Sequence, residues 1–206
     1  MEKRKVVVTG FGPFRDIVKN PSWDVVCSLK QMKWPSDVEL ITKKLDVDYR
    51  SVDRDVPMLW HEHKPDLMVH LGVAMGIPGI RIESLAMRDG YCTNDDSGYA
   101  PGTCSAPGGT KISSQPKLNT THIDTKRIAA EASFAKCNVV VSRDPGRYLC
   151  SYTYYKSLCI DRNKALFIHV PSEANEIVTE TVWKIVLSAL EGQTCTKKSN
   201  LITCEH

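Results

Sequence analysis

Asn138-Val139-Val140-Val141-Ser142, then Arg143-Asp144-Pro145-Gly146, then Arg147-Tyr148-Leu149-Cys150-Ser151-Tyr152 is the stretch that decides the fold. Its first piece is apolar and β-branched, the composition of a buried strand. Pro145 and Gly146 mark a tight turn. An aromatic, amphipathic run follows through Tyr154, Tyr155, Leu158 and Cys159, which reads as a helix. The order strand, turn, helix places Cys150 in the first turns of that helix. Free backbone N–H groups and the positive end of the helix dipole lower a thiol pKa there and bind a developing oxyanion. Further on, Ala165-Leu166-Phe167-Ile168-His169-Val170-Pro171 is a strand ending in a histidine. A cysteine with an imidazole base and an orienting acid is the minimum for thiol-based acyl transfer. Both residues also have plainer readings, Cys150 as a packing residue and His169 as a hydrogen-bonded structural histidine.

The same alternation runs outward from this stretch. Lys5-Val6-Val7-Val8-Thr9 is a first strand, apolar on both faces as in a sheet covered on both sides. Asn20-Pro21-Ser22-Trp23 opens a helix, with Asn20 as N-cap and Pro21 at the first helical position. Val38 to Thr42 is a second strand, and Val52, Val56, Leu59 and Trp60 mark a second helix. Leu67 to Gly72 is a third strand, and Gly79 to Leu85 reads as a fourth. From Asp89 to His122 the chain is rich in Gly, Pro, Ser, Thr and Asn, and is expected to be one long functional loop region with room for a short hairpin. Asp124 caps a helix through Ile128, Ala129 and Ala132. Ile177 to Ala189 forms a last amphipathic helix closed by Gly192. The expected architecture is a three-layer α/β/α sandwich around a mostly parallel, mixed central sheet. Residues 1–193 make one domain and 194–206 a polar C-terminal tail.

Composition excludes several classes. With 206 residues, 25% charged and 42% hydrophobic, the chain can bury a full core. A net charge of +3 is too small to argue for nucleic acid as a partner. No apolar run approaches a membrane span, and the amino terminus lacks the apolar core of a signal peptide. The eight cysteines lack C-x-x-C zinc pairs and read as free thiols in a reducing cytosol, which makes a cytoplasmic location the expectation.

Gly10-Phe11-Gly12-Pro13-Phe14 follows the first strand. It fits a dinucleotide loop poorly, because a third glycine is missing and Pro13 removes an N–H. Phe11 and Phe14 stand at a strand's carboxyl end, where open α/β sheets bind ligands. They either wall a small, partly apolar ligand or plug the core. Glu83 sits among Ile80, Ile82 and Leu85, where a buried acid needs a partner. Its other reading is the polar face of an edge strand.

These features, with Val7-Val8-Thr9-Gly10-Phe11-Gly12-Pro13-Phe14, Asn20-Pro21-Ser22-Trp23, His70-Leu71-Gly72-Val73, Ile82-Glu83, Gly146-Arg147-Tyr148-Leu149-Cys150 and Phe167-Ile168-His169-Val170-Pro171, resemble the pyroglutamyl-peptidase I family, the pyrrolidone carboxyl peptidases. The blocks cover about residues 5 to 190 in the family's order. The layout of the long loop, with Gly102 and Cys104, is similar to the animal members. The resemblance implies a cysteine peptidase that releases an amino-terminal pyroglutamate from peptides, with no metal and no cofactor, in a family whose members are often homo-oligomeric. It implies a triad of Cys150, His169 and Glu83, and a pocket lined by Phe11, Phe14, Tyr148 and Leu149. The family's pattern is broken at Arg15 (usually Gly), at Arg88 (usually Asn), at Pro145 (usually Ala) and around Ala106-Pro107-Gly108. Arg15 and Arg88 keep a second reading open: a weak or inactive member that retains the binding pocket.

Overall fold

Val6, Val7 and Val8 are wholly buried within β1 (Arg4–Phe11), as a strand apolar on both faces requires. The computed structural model describes residues 2–15, 17–76, 78–101, 117–133 and 137–202, the last nine as backbone. After β1 come α1 (Pro21–Leu29), β2 (Val38–Leu45), α2 (Tyr49–His63), β3 (Leu67–Ala74), β4 (Ile80–Glu83), β5 (Leu85–Met87), β6 (Leu118–Thr120), α3 (Thr125–Ala132), β7 (Val139–Ser142), α4 (Leu149–Ile160), β8 (Ala165–Pro171) and α5 (Glu176–Ile202). The expected caps form: Asn20 accepts from the Ser22 N–H, with Pro21 at the first position of α1, and Asp124 accepts from the Arg127 N–H at α3. Each such cap contributes about 1 kcal/mol.

Six strands form one sheet in the order β2-β1-β3-β8-β4-β7. β1, β2, β3 and β8 run parallel; β4 is antiparallel to β8 and parallel to β7. The reversal has a local cause. Residues 75–79 between β3 and β4 are too few for a parallel crossover, so the chain turns back. It returns one strand spacing away, and β8 fills the slot between. One face of the sheet packs against α1, α3 and α5 through Val6, Val8, Leu71, Ile80, Ile82, Ile168, Val182 and Ile185. The other packs against α2 and α4 through Val7, Phe11, Met68, Phe167, Val56 and Tyr152. The three-layer α/β/α sandwich with a mostly parallel, mixed sheet is the observed architecture.

Four details differ from the sequence reading. The segment Gly79–Leu85 is two strands: the chain leaves the main sheet at Ser84, and β5 pairs with β6 in a separate two-stranded antiparallel sheet. Helix α4 is buried nearly all round, because α2, β5 and β6 pack on it as well as the main sheet. Helix α5 continues past Gly192 to Ile202. Cys92 is disulfide-bonded, against the expectation of free thiols, while Cys27, Cys137, Cys150 and Cys159 form no disulfide. Gly102, Cys104 and Ala106-Pro107-Gly108 lie outside the described residues. No described helix is long and apolar enough to cross a membrane.

Candidate active site

Register brings the distant residues together. Gly72 on β3 pairs with His169 on β8, and His169 pairs with Arg81 on β4. Glu83 lies two residues beyond Arg81 and so projects from the same face. Its Oε1 is 2.8 Å from Nδ1 of His169. Glu83 is fully buried and His169 nearly so. The Glu83 carbonyl is held in turn by the Tyr154 hydroxyl, which donates to it at 3.0 Å. Glu83 is therefore paired, and the edge-strand reading is excluded. Its Oε2 is buried and has no hydrogen-bond partner among the described residues. Such an atom is costly to a fold and calls for a reason.

Cys150 meets the same imidazole. A methyl group built on Gly72 would lie 2.8 Å from Cys150 Sγ and 2.8 Å from Phe167 Cζ. The sulfur thus rests on bare backbone beside His169, and only glycine permits the approach. With Nδ1 facing Glu83, Nε2 is left for the thiol. Burial alone would lower the His169 pKa. The Cys150 charge and hydrogen bond, then the Glu83 hydrogen bond and charge, outweigh it and raise the imidazole to about 9. A Gly72→Ala substitution is expected to push the sulfur aside and cut kcat/KM by about 100-fold, the usual cost of a 1 Å misplacement. Unaltered kinetics would mean that the close approach is unimportant.

The helix start is built to leave donors free. Tyr148 is the N-cap of α4, and its side chain caps nothing. The first helical bond runs from the Tyr152 N–H to the Tyr148 carbonyl. The N–H groups of Leu149, Cys150 and Ser151 therefore have no acceptor within the helix. Gly146, at φ 79, makes the left-handed turn that feeds the helix, with its N–H on Asp144. Position is fixed from below as well: Ser151 Oγ accepts from the Tyr91 hydroxyl at 2.9 Å.

The aromatic residues fall into two sets. Phe11 and Leu149 are buried in the core on the α4 side, whereas Phe14 and Tyr148 are partly exposed at its edge. The Phe14 and Tyr148 rings are 6.5 Å apart, and Tyr148 stands edge-on to Tyr49 at 6.0 Å. Tyr49 packs on Tyr152 at 4.8 Å, so the Phe14 and Tyr148 rings are anchored through aromatic contacts into the core. Arg15 adopts a left-handed conformation, φ 47, with its guanidinium 5.7 Å from the Tyr148 ring centroid. Arg88 directs its Nε to Asp89 Oδ1 at 3.0 Å, so its charge is paired.

Further residues support the site from beneath, through partners that the sequence does not specify. His70 is fully buried, 2.7 Å from Thr9 Oγ1 and 2.6 Å from Ser157 Oγ. Burial drives its pKa down to about 3, so it is neutral, as a mid-strand histidine should be. Asp95 accepts from the N–H groups of Tyr49, Ser97 and Tyr99, tying the loop beside Tyr148 to α2. Only the burial of an acid in a Gly- and Ser-rich segment could have hinted at that role.

Comparison with known proteins gives the arrangement a context. Residues 4–188 match the family model described as Pyroglutamyl peptidase. The chain is 34% identical over 171 residues to pyroglutamyl-peptidase 1 of Rattus norvegicus, covering 82% of this chain and 79% of the relative. The human pyroglutamyl-peptidase 1 matches with the same identity and coverage. Among solved structures, a mutant pyrrolidone carboxyl peptidase from Pyrococcus furiosus superposes with a TM-score of 0.80 at 25% identity, covering 91% of this chain and 98% of that one. Pyroglutamyl peptidase I of Bacillus amyloliquefaciens shares the fold, with a TM-score of 0.81 at 21% identity over 93% of this chain and 98% of that one. The chain belongs to the pyroglutamyl peptidase family of cysteine peptidases.

Proposed function

We propose that this chain removes an amino-terminal pyroglutamyl residue from peptides, with Cys150 as nucleophile, His169 as base and then acid, and Glu83 as the group that orients and charges the imidazole. The observation that carries the reading is the 2.8 Å contact of Glu83 with Nδ1 of His169, opposite a Cys150 sulfur seated on Gly72. The pyrrolidone ring enters beside Phe14 and Tyr148, with Phe11 and Leu149 forming the apolar floor. A neutral lactam suits such a wall; a free α-amino group would lose its solvation there. The Cys150 sulfur attacks the pyroglutamyl carbonyl carbon. The oxyanion is received by free N–H groups at the start of α4. The C–N bond then breaks, and the His169 proton passes to the leaving amine. This leaves a thioester, and water deprotonated by His169 hydrolyses it to pyroglutamate and the free thiol.

Arg15 over the Tyr148 ring favours a second reading, in which the pocket is retained but turnover is weak. Hydrolysis of a fluorogenic pyroglutamyl amide by reduced protein, beside the prolyl and glutaminyl amides, separates the two. Turnover of the pyroglutamyl substrate alone is expected. A folded protein that turns over none of the three would leave only the pocket.

A further inference from the structure

The sheet arranges the site in one cross-strand row. Phe11 pairs with Leu45 on β2. The β1–β3 register, continued two residues past Thr9 and His70, brings Phe11 level with Gly72. Gly72 pairs with His169, His169 with Arg81, and Arg81 with Val140 on β7. Ile80 and Ile82 belong to the opposite core, so pleating turns Arg81 to the face that carries His169 and Glu83. Cys150 stands over Gly72. Across the row the order is therefore Phe11, Cys150, His169, Arg81, Val140.

That order gives the substrate a direction. With the pyrrolidone ring at the phenylalanine end, the leaving amine departs on the His169 side, towards Arg81. Neighbouring strands are about 4.8 Å apart, so Arg81 is one strand from the imidazole and about 10 Å from Gly72. One extended residue spans about 3.3–3.6 Å, which puts a carboxylate of the first leaving residue within reach of the arginine head. Arg81 is only half-buried, and among the described residues its side chain has no hydrogen bond or ion pair. Other arginines here do have partners: Arg88 with Asp89, Arg147 with Asp144, and Arg127 with Glu131. Beyond Arg81 the face is open, with Val140 exposed by 41%. A guanidinium without a carboxylate, beside a reaction centre and facing an open edge, is suited to recognise one.

We infer that Arg81 is a specificity residue that binds a carboxylate on the first residue of the leaving peptide. That carboxylate is either the terminal group of a pyroglutamyl dipeptide or the side chain of Asp or Glu in a longer one. The inference rests on the proposed pyroglutamyl chemistry for the direction of the substrate. The plainer role for Arg81, a stem lying on the sheet with its head in water, predicts no discrimination.

The test compares kcat/KM within two substrate pairs. One is pyroglutamyl-alanine against pyroglutamyl-alaninamide. The other is pyroglutamyl-glutamyl-alaninamide against its glutaminyl counterpart. The unmodified protein is expected to favour the carboxylate in at least one pair by about 10-fold or more, mainly through KM, the scale of a charge-assisted hydrogen bond. The pair that responds identifies the source of the carboxylate. In Arg81→Gln the preference should shrink to within about twofold. Each ratio is taken on one protein, so a general loss of activity or folding cancels. Turnover without a preference in either pair overturns the inference and leaves the peptidase reading intact. A preference that survives in Arg81→Gln overturns it as well. Calorimetric titration of the same four compounds into Cys150→Ala protein, with and without Arg81→Gln, decides the matter without turnover. An affinity preference lost with Arg81 supports the inference, and no preference, or no binding at all, removes it.

Discussion

Replacing Cys150 by alanine is expected to lower kcat on a pyroglutamyl amide by about 10⁴-fold or more, leaving only what binding and oxyanion donors supply. No other described thiol can substitute. Cys27 lies exposed on α1 and Cys137 packs against the core on the α1, α3 and α5 side, both across the sheet from Cys150, and burial pushes the Cys137 thiol pKa up; Cys159 lies more than two turns along α4, and burial raises it too. The fold should hardly notice. Cys150 is only partly buried, and its sulfur is the atom crowded against Gly72, so the lost packing is of the order of 1 kcal/mol or less. Thermal denaturation beside steady-state kinetics checks both halves. Activity within about tenfold of the unmodified protein would remove Cys150 from the chemistry. A collapse of Tm would recast it as a packing residue, the plainer reading of its sequence.

What was legible in the sequence obeys local rules. Asn20-Pro21 and Asp124 announce helix starts by capping chemistry, and β-branched runs announce β1 and β7. The nucleophile candidate was visible because strand, turn and helix follow one another without a break from Val139 to Tyr155. What stayed hidden depends on register between distant strands. Nothing near Gly79–Leu85 says that the chain changes sheets at Ser84, because the partner of β5 is Leu118–Thr120, three residues with little strand character. Gly72 is an ordinary strand glycine until Cys150 is seen to rest on it. Arg81 reads as a polar residue in an alternating strand until β8, arriving from far along the chain, sets His169 opposite. The aromatic residues divided for a similar reason: Phe11 ends a strand that is covered by α2 and α4, whereas Phe14 lies past it and reaches only the edge of that core. The partly exposed Phe14 and the buried Phe11 belong to one cluster, which spacing alone does not express.

Glu83→Gln tests the part of the site where charge and geometry separate. The amide oxygen can still accept from Nδ1 of His169, so the ring keeps its orientation and loses its negative neighbour. In the native protein the His169 pKa is about 9, above the ordinary 6.5. A raised pKa contributes stability that is fully present below about pH 6.5 and is lost as pH climbs through 9. In Glu83→Gln the folded pKa should fall back towards 6.5, held up by Cys150 alone. The pH-dependent loss of stability between 6.5 and 9 should shrink, and the alkaline limb of kcat/KM should move to lower pH. At neutral pH the expected loss in kcat/KM is about 10²–10⁴-fold, as when an orienting carboxylate becomes an amide in other triads. The new NH₂ group takes the place of Oε2, which already lacks a partner, so the stability cost at low pH stays near 1–3 kcal/mol. Imidazole titration by NMR, with kcat/KM from pH 5 to 10, reads both effects. An unmoved alkaline limb with less than about fivefold loss would show that Glu83 only holds the ring in place and that Cys150 alone sustains the imidazolium.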